Sequence, residues 1–309
     1  MTPDVSAIVV AYRCAAFLPS CLDALDAAAG ALTLERIVVD NGSHDGTGAV
    51  VAARGGTRVL VNEFNRGFAA AANQGARPAR GRFVLFLNPD ARPAPGSLPL
   101  LVAALEEDTH AGLASPRLLF PDRRPQPSAW LEPSLATLTF EALLLRNLRP
   151  GSRLDHLASP EAGGPIEVPV LAGTCLLARH SSFDQVGGFD EDFFLYHEDW
   201  DLCLRARSAG WRSLLVPAAT AVHERGAFAF LDRAGFWRRF HESRDLLIHK
   251  HFRSGRRQTA RFLHRLGIVL HAAASQVAGR PDDARHLVAA MRALPSARRA
   301  SLTAQSRGC

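Results

Sequence analysis

The stretch from residue 187 to residue 204, GGFDEDFFLYHEDWDLCL, interleaves carboxylates with large apolar side chains. A solvated charged segment would not carry so many aromatic residues, and a core segment would not carry so many carboxylates. We therefore predict a loop whose aromatic side chains, Phe193 and Phe194 among them, pack inward before a helix that begins near Glu198. Carboxylates in the first turn are favoured by the helix dipole, so Glu198 and Asp199 could simply cap this helix. Alternatively, one of them is held at the rim of a pocket as a general base.

The predicted helix also carries a pair of opposite charges. Asp201 and Arg205 are four residues apart, which on a helix predicts an ion pair on its surface. An ion pair of this kind accompanies structural helices as readily as catalytic ones. Residues 187–204 by themselves therefore favour neither a helix cap nor a general base, and the distinction depends on motifs elsewhere in the chain.

The elements that would position this stretch begin with a regular alternation over the first 90 residues. Short β-branched runs predict strands at residues 6–10, 36–40, 57–61 and 82–87, and alanine-rich stretches predict helices at residues 15–29 and 67–76. Continuous apolar strands separated by helices indicate an α/β fold with a parallel sheet covered on both faces. Ligands of such sheets bind beyond the carboxyl ends of the strands.

Polar residues follow three of these predicted strands. The segments at their ends are Ala11-Tyr12-Arg13, a turn that starts with Asp40 and Asn41, and Asn88-Pro89-Asp90. Asp, Asn and Gly are the usual turn residues, so each position alone has a structural explanation. Two carboxylates at the ends of separate strands, Asp40 and Asp90, exceed what turns require. The chain has no GxGxxG after its first strand and no GxxxxGK[ST], which argues against a dinucleotide dehydrogenase or a P-loop enzyme.

The middle of the chain is less regular. Residues 120–169 are rich in Pro and Gly and include Trp130, and we interpret them as an excursion that covers a substrate or a partner. Residues 168–177 return to the core. Gly173 and Thr174 interrupt that apolar run, at a point where backbone can approach a ligand closely.

Three further elements complete the predicted core. We expect a helix from about residue 97 to residue 108 and strands at residues 112–116 and 212–216. His223 follows the last of these strands. A lone histidine in such a place is more often an ordinary surface or core residue than a ligand.

Composition limits the class of protein. The 309 residues, 47% hydrophobic and 21% charged, suit a globular protein of one large α/β domain with an appendage. The five cysteines form no CxxC pair and no metal-site spacing, which favours free thiols in a reducing, cytoplasmic setting. The start MTPDVSAIVV lacks the basic residues of a secretory signal, and no run approaches 18 apolar residues, so we expect no membrane span.

Charge divides the chain into two predicted domains, residues 1–226 and 227–309. The second part has 16 Lys and Arg against 5 Asp and Glu, whereas the first has 20 against 25. Aromatic and leucine residues alternate with the basic ones, which predicts amphipathic helices at residues 261–274 and 286–294. Such helices suit a docked cap or an anionic membrane surface. No nucleic-acid motif is present, so we expect no nucleic acid partner.

Taken in order, these motifs resemble the family 2 glycosyltransferases, inverting enzymes with the GT-A fold, and especially a bacterial rhamnosyltransferase-like branch. The resemblance runs from about residue 5 to residue 224, about 70% of the chain. The segments that carry it are SAIVVAYR, IVVDNGSHDGT, NRGFAAAANQG, FLNPD, AGTCLLAR, GGFDEDFFLYHEDWDLCLRARSAGW and the later His223. It implies a Rossmann-like, mostly parallel central sheet with flanking helices and a basic helical extension at the C-terminus.

The resemblance also implies a donor site for a nucleotide-sugar. The residues it assigns to donor binding are Ala11, Tyr12, Arg13, Asp40, Asn41, Asn65, Arg66, Gly67, Asn88 and Asp90. Asp90 and His223 would bind Mg²⁺ or Mn²⁺, hard cations that accept carboxylate ligands and neutralise a departing diphosphate. Asn88 replaces the first Asp of the family's DxD motif, which removes one charged contact to the ribose or metal.

On the acceptor side, the resemblance implies that Asp199 is the catalytic base, with Glu198 beside it. Gly173, Thr174 and Trp200 would contact the acceptor, a glycan or polyprenol-linked sugar met at the inner face of the plasma membrane. Burial among aromatic side chains would raise the pKa of Asp199.

Two other functions remain open at this point. A catalytically inactive protein of the same fold would bind a sugar-nucleotide without transferring the sugar. A nucleotidyltransferase would usually carry a glycine-rich basic loop after the first strand, which AYRCAAF lacks.

Overall fold

The computed structural model describes residues 2–145, 164–224 and 232–294. The chain divides into two compact units. The first consists of Met1–Glu132 and Gly151–Ala227, and the second of Pro133–Pro150 and Phe228–Cys309. The second unit therefore takes in a segment from the middle of the chain.

The described residues form strands and helices that alternate over most of the first unit. The strands are β1 (Val5–Ala11), β2 (Leu34–Asp40), β3 (Thr57–Val61), β4 (Phe83–Leu87), β5 (Ala91–Pro93), β6 (Ala111–Leu119), β7 (Ala129–Trp130), β8 (Ile166–Glu167), β9 (Val170–Leu171), β10 (Cys175–Arg179) and β11 (Arg212–His223). The helices are α1 (Leu18–Ala29), α2 (Thr47–Ala52), α3 (Phe68–Ala76), α4 (Ser97–Glu107), α5 (Leu135–Ala142), α6 (His180–Gln185), α7 (Glu198–Ser208), α8 (Arg233–His251), α9 (Ser254–Val277) and α10 (Pro281–Ala293).

Nine of the described strands form one sheet in the first unit. Their order is β3-β2-β1-β4-β10-β6-β11-β5, and β8 pairs with β11 outside this path. Six strands run in one direction, whereas β10, β5 and β8 are antiparallel to their neighbours. The predicted α/β fold with a mostly parallel central sheet is confirmed.

Burial explains why the apolar runs become the central strands. Every residue of β1 and β4 is buried, as expected for strands covered on both faces. Helix α1 covers one face with Leu18, Leu22 and Leu25, which are fully buried and recur at helical spacing. Each buried leucine contributes about 1.5–3 kcal/mol to stability.

Two strands extend further than their patterns predicted. Strand β6 continues to Leu119 and β11 continues to His223. The pairing between them shifts register between Val216 and Thr220, around Pro217, which cannot donate to the ladder. Because the register shift interrupts the alternation of residues, the sequence pattern does not predict the second half of β11. This second half ends at His223, at the edge of the sheet.

The sheet brings distant segments to its carboxyl edge. Ala11 at the end of β1 pairs with Asp40 at the end of β2. Strand β10 begins opposite Leu87, so Thr174 lies beside Asn88, whose backbone N–H donates to the Thr174 carbonyl over 2.9 Å. Strand β11 ends where His223 pairs with Ala91. The predicted strand exits therefore meet at one edge.

The second unit is helical in its described residues and has two small apolar cores. One core consists of Ile268, Ala272, Ala284, Leu287 and Leu294, and the other of Leu138, Ile248, Phe252 and Ala260. Buried carboxylates are paired, as in the bidentate contact of Arg261 with Asp245 at 2.6 and 2.8 Å. The predicted helix at residues 261–274 lies within α9, and the one at residues 286–294 overlaps α10 up to Ala293. Across the described ranges, no helix is long and apolar enough to cross a membrane.

Candidate active site

The carboxylate of Asp199 is held at the first turn of α7. Its Oδ2 accepts the backbone N–H of Gly173 and its Oδ1 accepts that of Trp200, both over 2.8 Å. Gly173 permits this approach, because a Cβ at that position would lie 2.9 Å from the Cβ of Asp199. Burial raises the pKa of Asp199 to about 6, although the two N–H donors oppose that rise. The direction is the one expected from the sequence, and it suits a group that accepts a proton near neutral pH.

Glu198, the residue before Asp199, has a different environment. It is buried, and within the described residues its Oε2 has no hydrogen-bond partner. Burial first and the charge of Asp199 second raise the pKa of Glu198 well above its usual value. Burial and the neighbouring charge thus both favour the protonated form of Glu198.

Strained backbone precedes the two carboxyl groups. Tyr196 and His197 have φ angles of 70° and 65°, in the left-handed region that non-glycine residues rarely occupy. Such conformations cost about 1–3 kcal/mol each and persist only where surrounding contacts enforce them. The ring of His197 lies 5.6 Å from that of Trp200, which itself is buried in the first turn of α7.

Two expectations about this stretch were wrong in detail. Phe193 is buried, but Phe194 is 40% exposed. Asp201 and Arg205 do pair, over 2.6 Å, yet Asp201 is buried rather than on the surface. Arg205 also donates to the Val186 carbonyl over 2.7 Å, so the pair fastens α7 to the segment before the loop.

Segment 65–67, assigned to donor binding by resemblance, is fastened to the aromatic loop. The Phe68 N–H donates to the Phe194 carbonyl over 2.7 Å. Gly67 has a φ of 83°, and a Cβ there would lie 2.5 Å from the same carbonyl oxygen. Further along α3, Asn73 donates to the Phe189 carbonyl and accepts the Phe189 N–H. Both ends of the GGFDEDFF segment are therefore held against α3.

Asn41, at the end of β2, organises the neighbouring loop. Its amide nitrogen donates to Asn65 Oδ1 and the Gly67 carbonyl, and its Oδ1 accepts from Asn62 Nδ2 and the Arg66 N–H, over 2.9–3.1 Å. These four bonds use its whole hydrogen-bonding capacity. The side chain of Asn41 therefore holds the predicted donor-binding segment at residues 65–67 in place and has no hydrogen-bonding group left for a ligand.

The remaining predicted donor residues lie around the ends of β1 and β2. Ala11 is buried, and its carbonyl accepts the Asn41 N–H over 2.8 Å. Asp40 is buried and accepts the Ser43 N–H over 2.9 Å. Arg13 is exposed, has a left-handed φ of 51°, and places its guanidinium over the Tyr12 ring at 5.3 Å. A cationic group thus stands next to the strand exit.

The other end of the edge holds Asp90 and His223, the predicted metal ligands. His223 Nε2 lies 3.5 Å from Asp90 Oδ1. Their backbones are tied by the β5–β11 pairing and by the Glu224 N–H, which donates to the Asp90 carbonyl over 3.1 Å. Gln126 Oε1 is 2.7 Å from His223 Nδ1 on the opposite side of the ring.

One carboxylate oxygen and one imidazole nitrogen facing each other suit a divalent cation such as Mn²⁺. In the parts of the chain that the structure describes, no group of three or more His, Cys, Asp and Glu side chains is arranged around a metal position. Asp90 and His223 supply two ligands, so a cation held by this pair would need further ligands from outside these two side chains.

A comparison with known families decides the class of the protein. The model of the family "Glycosyl transferase family 2" matches residues 6–187, more than half of the chain. The chain belongs to glycosyl transferase family 2. The matched region contains the predicted donor segments, Asp90 and Gly173, whereas α7 and His223 lie beyond it.

Curated relatives of this family 2 glycosyltransferase include rhamnosyltransferases. It is 35% identical over 221 residues to N-acetylglucosaminyl-diphospho-decaprenol L-rhamnosyltransferase of Mycobacterium tuberculosis, a match that covers 67% of this chain and 72% of the relative. It is 31% identical over 147 residues to rhamnosyltransferase WbbL of Escherichia coli, covering 48% of this chain and 54% of the relative. The resemblance to a rhamnosyltransferase-like branch is confirmed.

Solved structures with the same fold are glycosyltransferases. Mannosyltransferase PcManGT from Pyrobaculum calidifontis, solved with GDP-Man and Mn²⁺, superposes with a TM-score of 0.56 at 19% identity, covering 99% of this chain and 80% of that one. TarS from S. aureus superposes with a TM-score of 0.53 at 18% identity, covering 89% and 74%. The GT-A fold is thereby confirmed for the family 2 member described here.

Sequence reasoning missed two residues of the site, and both lie in the segment that it treated as an excursion. Gln126 contacts the imidazole of His223, and the ring of Trp130 lies 5.6 Å from that of Trp200. Strand β7 pairs with β9 in a separate two-stranded sheet, and β9 ends two residues before Gly173. A tryptophan in a Pro-rich segment only weakly indicates a binding site, and a single glutamine does not indicate one.

Proposed function

We propose that the protein is an inverting glycosyltransferase that moves a sugar, rhamnose by analogy with its relatives, from a nucleotide-sugar to a hydroxyl group of a glycan or polyprenol-linked acceptor. The observation that carries the proposal is the carboxylate of Asp199, fixed by two backbone N–H groups at the sheet edge that also holds Asp90 and His223. The acceptor named for the Mycobacterium tuberculosis relative, an N-acetylglucosaminyl-diphospho-polyprenol, is the first to test.

In this mechanism Asp199 removes the proton of the acceptor hydroxyl while the oxygen attacks the anomeric carbon of the donor. The bond from that carbon to the diphosphate breaks, and the diphosphate leaves on the opposite face of the sugar. Asp90 and His223 would hold a divalent cation, which supplies charge neutralisation for the departing diphosphate. Burial and the charge of Asp199 raise the pKa of Glu198, and we assign it a supporting role beside the base rather than the role of base.

On the acceptor side, we assign a sugar-binding surface to Trp130 and Trp200, beside Gly173 and Thr174. Trp130 is half-buried, and its ring packs against the ring of Trp200 with an angle of 39° between the two planes. Trp200 directly follows the proposed base, Asp199, in the chain. Sugars expose C–H faces that pack against aromatic rings, and aromatic side chains with a few polar groups are common in ligand sites. Glu132 accepts from Arg207 over 2.8 Å, which fastens this segment along α7.

The proposal is tested by incubating the purified chain with Mn²⁺, a panel of UDP-, GDP- and dTDP-sugars that includes rhamnose, and the diphospho-polyprenol acceptor. We expect a glycosylated product with inverted anomeric configuration that a chelator abolishes. A catalytically inactive sugar-nucleotide-binding protein is the second candidate. It would be stabilised thermally by one nucleotide-sugar with Mn²⁺ and yet neither hydrolyse nor transfer it.

For the second unit, we propose peripheral contact with an anionic membrane at the inner face of the plasma membrane. Large apolar side chains are exposed along one side of α9, namely Phe262, Val269 and Val277, with Phe262 64% exposed. The surrounding part of the chain, residues 227–309, has 16 basic and 5 acidic residues. Apolar side chains on a basic helix are the combination that binds the interface of anionic bilayers.

Vesicles distinguish this membrane contact from a merely basic surface. Phosphatidylcholine vesicles containing phosphatidylglycerol should sediment the chain, and the double variant Phe262→Ser, Val269→Ser should lower the bound fraction. Phe64→Ser with Val61→Ser removes the same two residue types from exposed positions of the first unit and serves as the matched control. Equal sedimentation of both double variants would exclude α9 as the contact.

A further inference from the structure

We propose that Gln126 is a positioning residue for His223, fixing the tautomer and rotation of the imidazole so that Nε2 is presented to a cation shared with Asp90. This inference rests on the proposed function, in which Asp90 and His223 hold a divalent metal ion. It assigns a role to a residue from the segment between β6 and β7, far in sequence from every motif of the family resemblance.

Two hydrogen bonds join Gln126 to His223. The Nε2 of Gln126 lies 3.2 Å from the backbone carbonyl oxygen of His223, and its Oε1 lies 2.7 Å from His223 Nδ1. A carbonyl oxygen can only accept, so the amide nitrogen must face it and the amide oxygen must face the ring. An amide oxygen also only accepts, so Nδ1 of His223 has to carry the hydrogen.

The consequence appears on the other side of the ring. A neutral imidazole protonated at Nδ1 has its lone pair at Nε2, and this nitrogen lies 3.5 Å from Asp90 Oδ1. Two electron-rich atoms at that separation, with Asp90 buried, repel unless a proton or a metal cation lies between them. The geometry therefore prepares a cation position, and a histidine whose second nitrogen is anchored is the usual form of a metal-binding histidine.

The backbone holds Gln126 firmly enough for this task. Its N–H donates to the Leu118 carbonyl over 2.9 Å, and its carbonyl accepts from Ser128 Oγ over 2.9 Å. Ser128 Oγ in turn accepts the Leu118 N–H over 2.8 Å. Gln126 is 2% exposed, so water does not compete for its amide. Both main-chain groups and both side-chain groups of Gln126 are thus engaged, which fixes the orientation of its amide.

The first measurement is the tautomer of His223 in the full chain, by ¹⁵N NMR of histidine-labelled protein at pH 8 without metal. The resonance is assigned by its loss in His223→Asn. We expect a proton on Nδ1 and none on Nε2, whereas free histidine prefers the opposite tautomer. In Gln126→Met, which keeps the shape and removes the acceptor, the Nε2-protonated form should gain population. A neutral, Nε2-protonated His223 in the unaltered protein would overturn the proposal.

The second measurement is the affinity for Mn²⁺ alone, from the loss of the free-ion signal in electron paramagnetic resonance. Gln126→Met should weaken binding by about 10–100-fold, the usual effect of removing a group that orients a metal-binding histidine. Gln126→Glu keeps an acceptor for Nδ1 and should restore most of the affinity. Gln185→Met is the matched control, because Gln185 Oε1 accepts the Trp211 ring N–H over 2.9 Å away from these residues.

The outcomes separate this inference from the proposed function. If the unaltered protein binds no Mn²⁺, the metal assignment of the proposed function fails, and this inference fails with it. If the unaltered protein and Gln126→Met bind Mn²⁺ equally well, only the positioning role of Gln126 is overturned. A loss shared with Gln185→Met would also overturn it, because the effect would then reflect general destabilisation.

Discussion

The two ends of the candidate site are built on different physical principles. At the Asp90 end, pairing between β5 and β11 positions Asp90 and His223. The side-chain amide of Gln126 holds the imidazole through both its nitrogen and its oxygen. At the Asp199 end, a half-buried carboxylate lies at a helix start behind two left-handed residues, beside a second carboxyl group whose Oε2 has no hydrogen-bond partner in the described chain. One end is ordered by regular strand pairing, and the other combines strained backbone with a carboxyl oxygen that has no hydrogen-bond partner in the described chain.

This difference matches two chemical tasks. A cation site needs fixed lone pairs, which regular pairing and neutral hydrogen bonds deliver without altering the charge of the ligands. A base needs proton affinity near neutral pH, which burial and a neighbouring carboxyl group create at the expense of stability. Changes at the Asp199 end should therefore alter the transfer step, whereas changes at the Asp90 end should alter metal and donor binding.

Removing the base tests this division with the largest expected effect. Asp199→Asn should lower transfer by about 10²–10⁴-fold, because the acceptor hydroxyl loses its proton acceptor. Donor affinity, measured by titration of the nucleotide-sugar with Mn²⁺, should stay unchanged. Unchanged turnover in this variant, or an equal loss of donor binding, would remove the functional distinction between the two ends.

A methyl group next to the base should act more weakly. In Gly173→Ala the new Cβ would lie 2.9 Å from the Cβ of Asp199 and displace its carboxylate. A displacement of about 1 Å lowers catalysis by about 10²-fold, so we expect a fall in kcat of that order. The matched control is Gly55→Ala, where a Cβ meets nothing within 4 Å. Similar kcat values for the two variants would show that the position of Asp199 is not critical.

The pH dependence should report the base end alone. Since burial raises the pKa of Asp199 to about 6, kcat/KM should fall about tenfold per unit as pH drops below that value. The raised pKa also means that the protonated carboxyl group stabilises the fold below pH about 4, and that this contribution is lost as pH rises through about 6. A kcat/KM that stays flat down to pH 4.5 would contradict the assignment of Asp199.

The smallest effect is expected from the proposed acceptor surface. An aromatic contact contributes about 0.5–1.5 kcal/mol, so Trp130→Ala should raise the acceptor KM by about 2–10-fold. Trp130→Phe should recover part of the loss, and the donor KM should not change in either variant. Steady-state kinetics with acceptor varied at saturating donor checks this, and a change in donor KM alone would place Trp130 at the other end of the site.

Most of the central sheet could be predicted, because its strands are continuous apolar runs bounded by turn residues. The strands around Ile8, Val38 and Leu85 follow from such runs. Strand β11 was predicted too short, because its register shift near Pro217 interrupts the pattern. The exposure of Phe194 and the burial of Asp201 were also missed, since both depend on what the loop packs against rather than on local composition.

The amino-acid sequence by itself determined the order of strands and helices, the edge at which polar residues gather and the family to which they belong. These follow from periodicity, turn chemistry and short motifs, which are properties of neighbouring residues. Only the tertiary structure decided which atoms meet: Gln126 and His223 are 97 residues apart, and Gly173 and Asp199 are 26 apart. Such contacts depend on sheet register and on the path of the connecting segments, and neither leaves a local pattern in the chain.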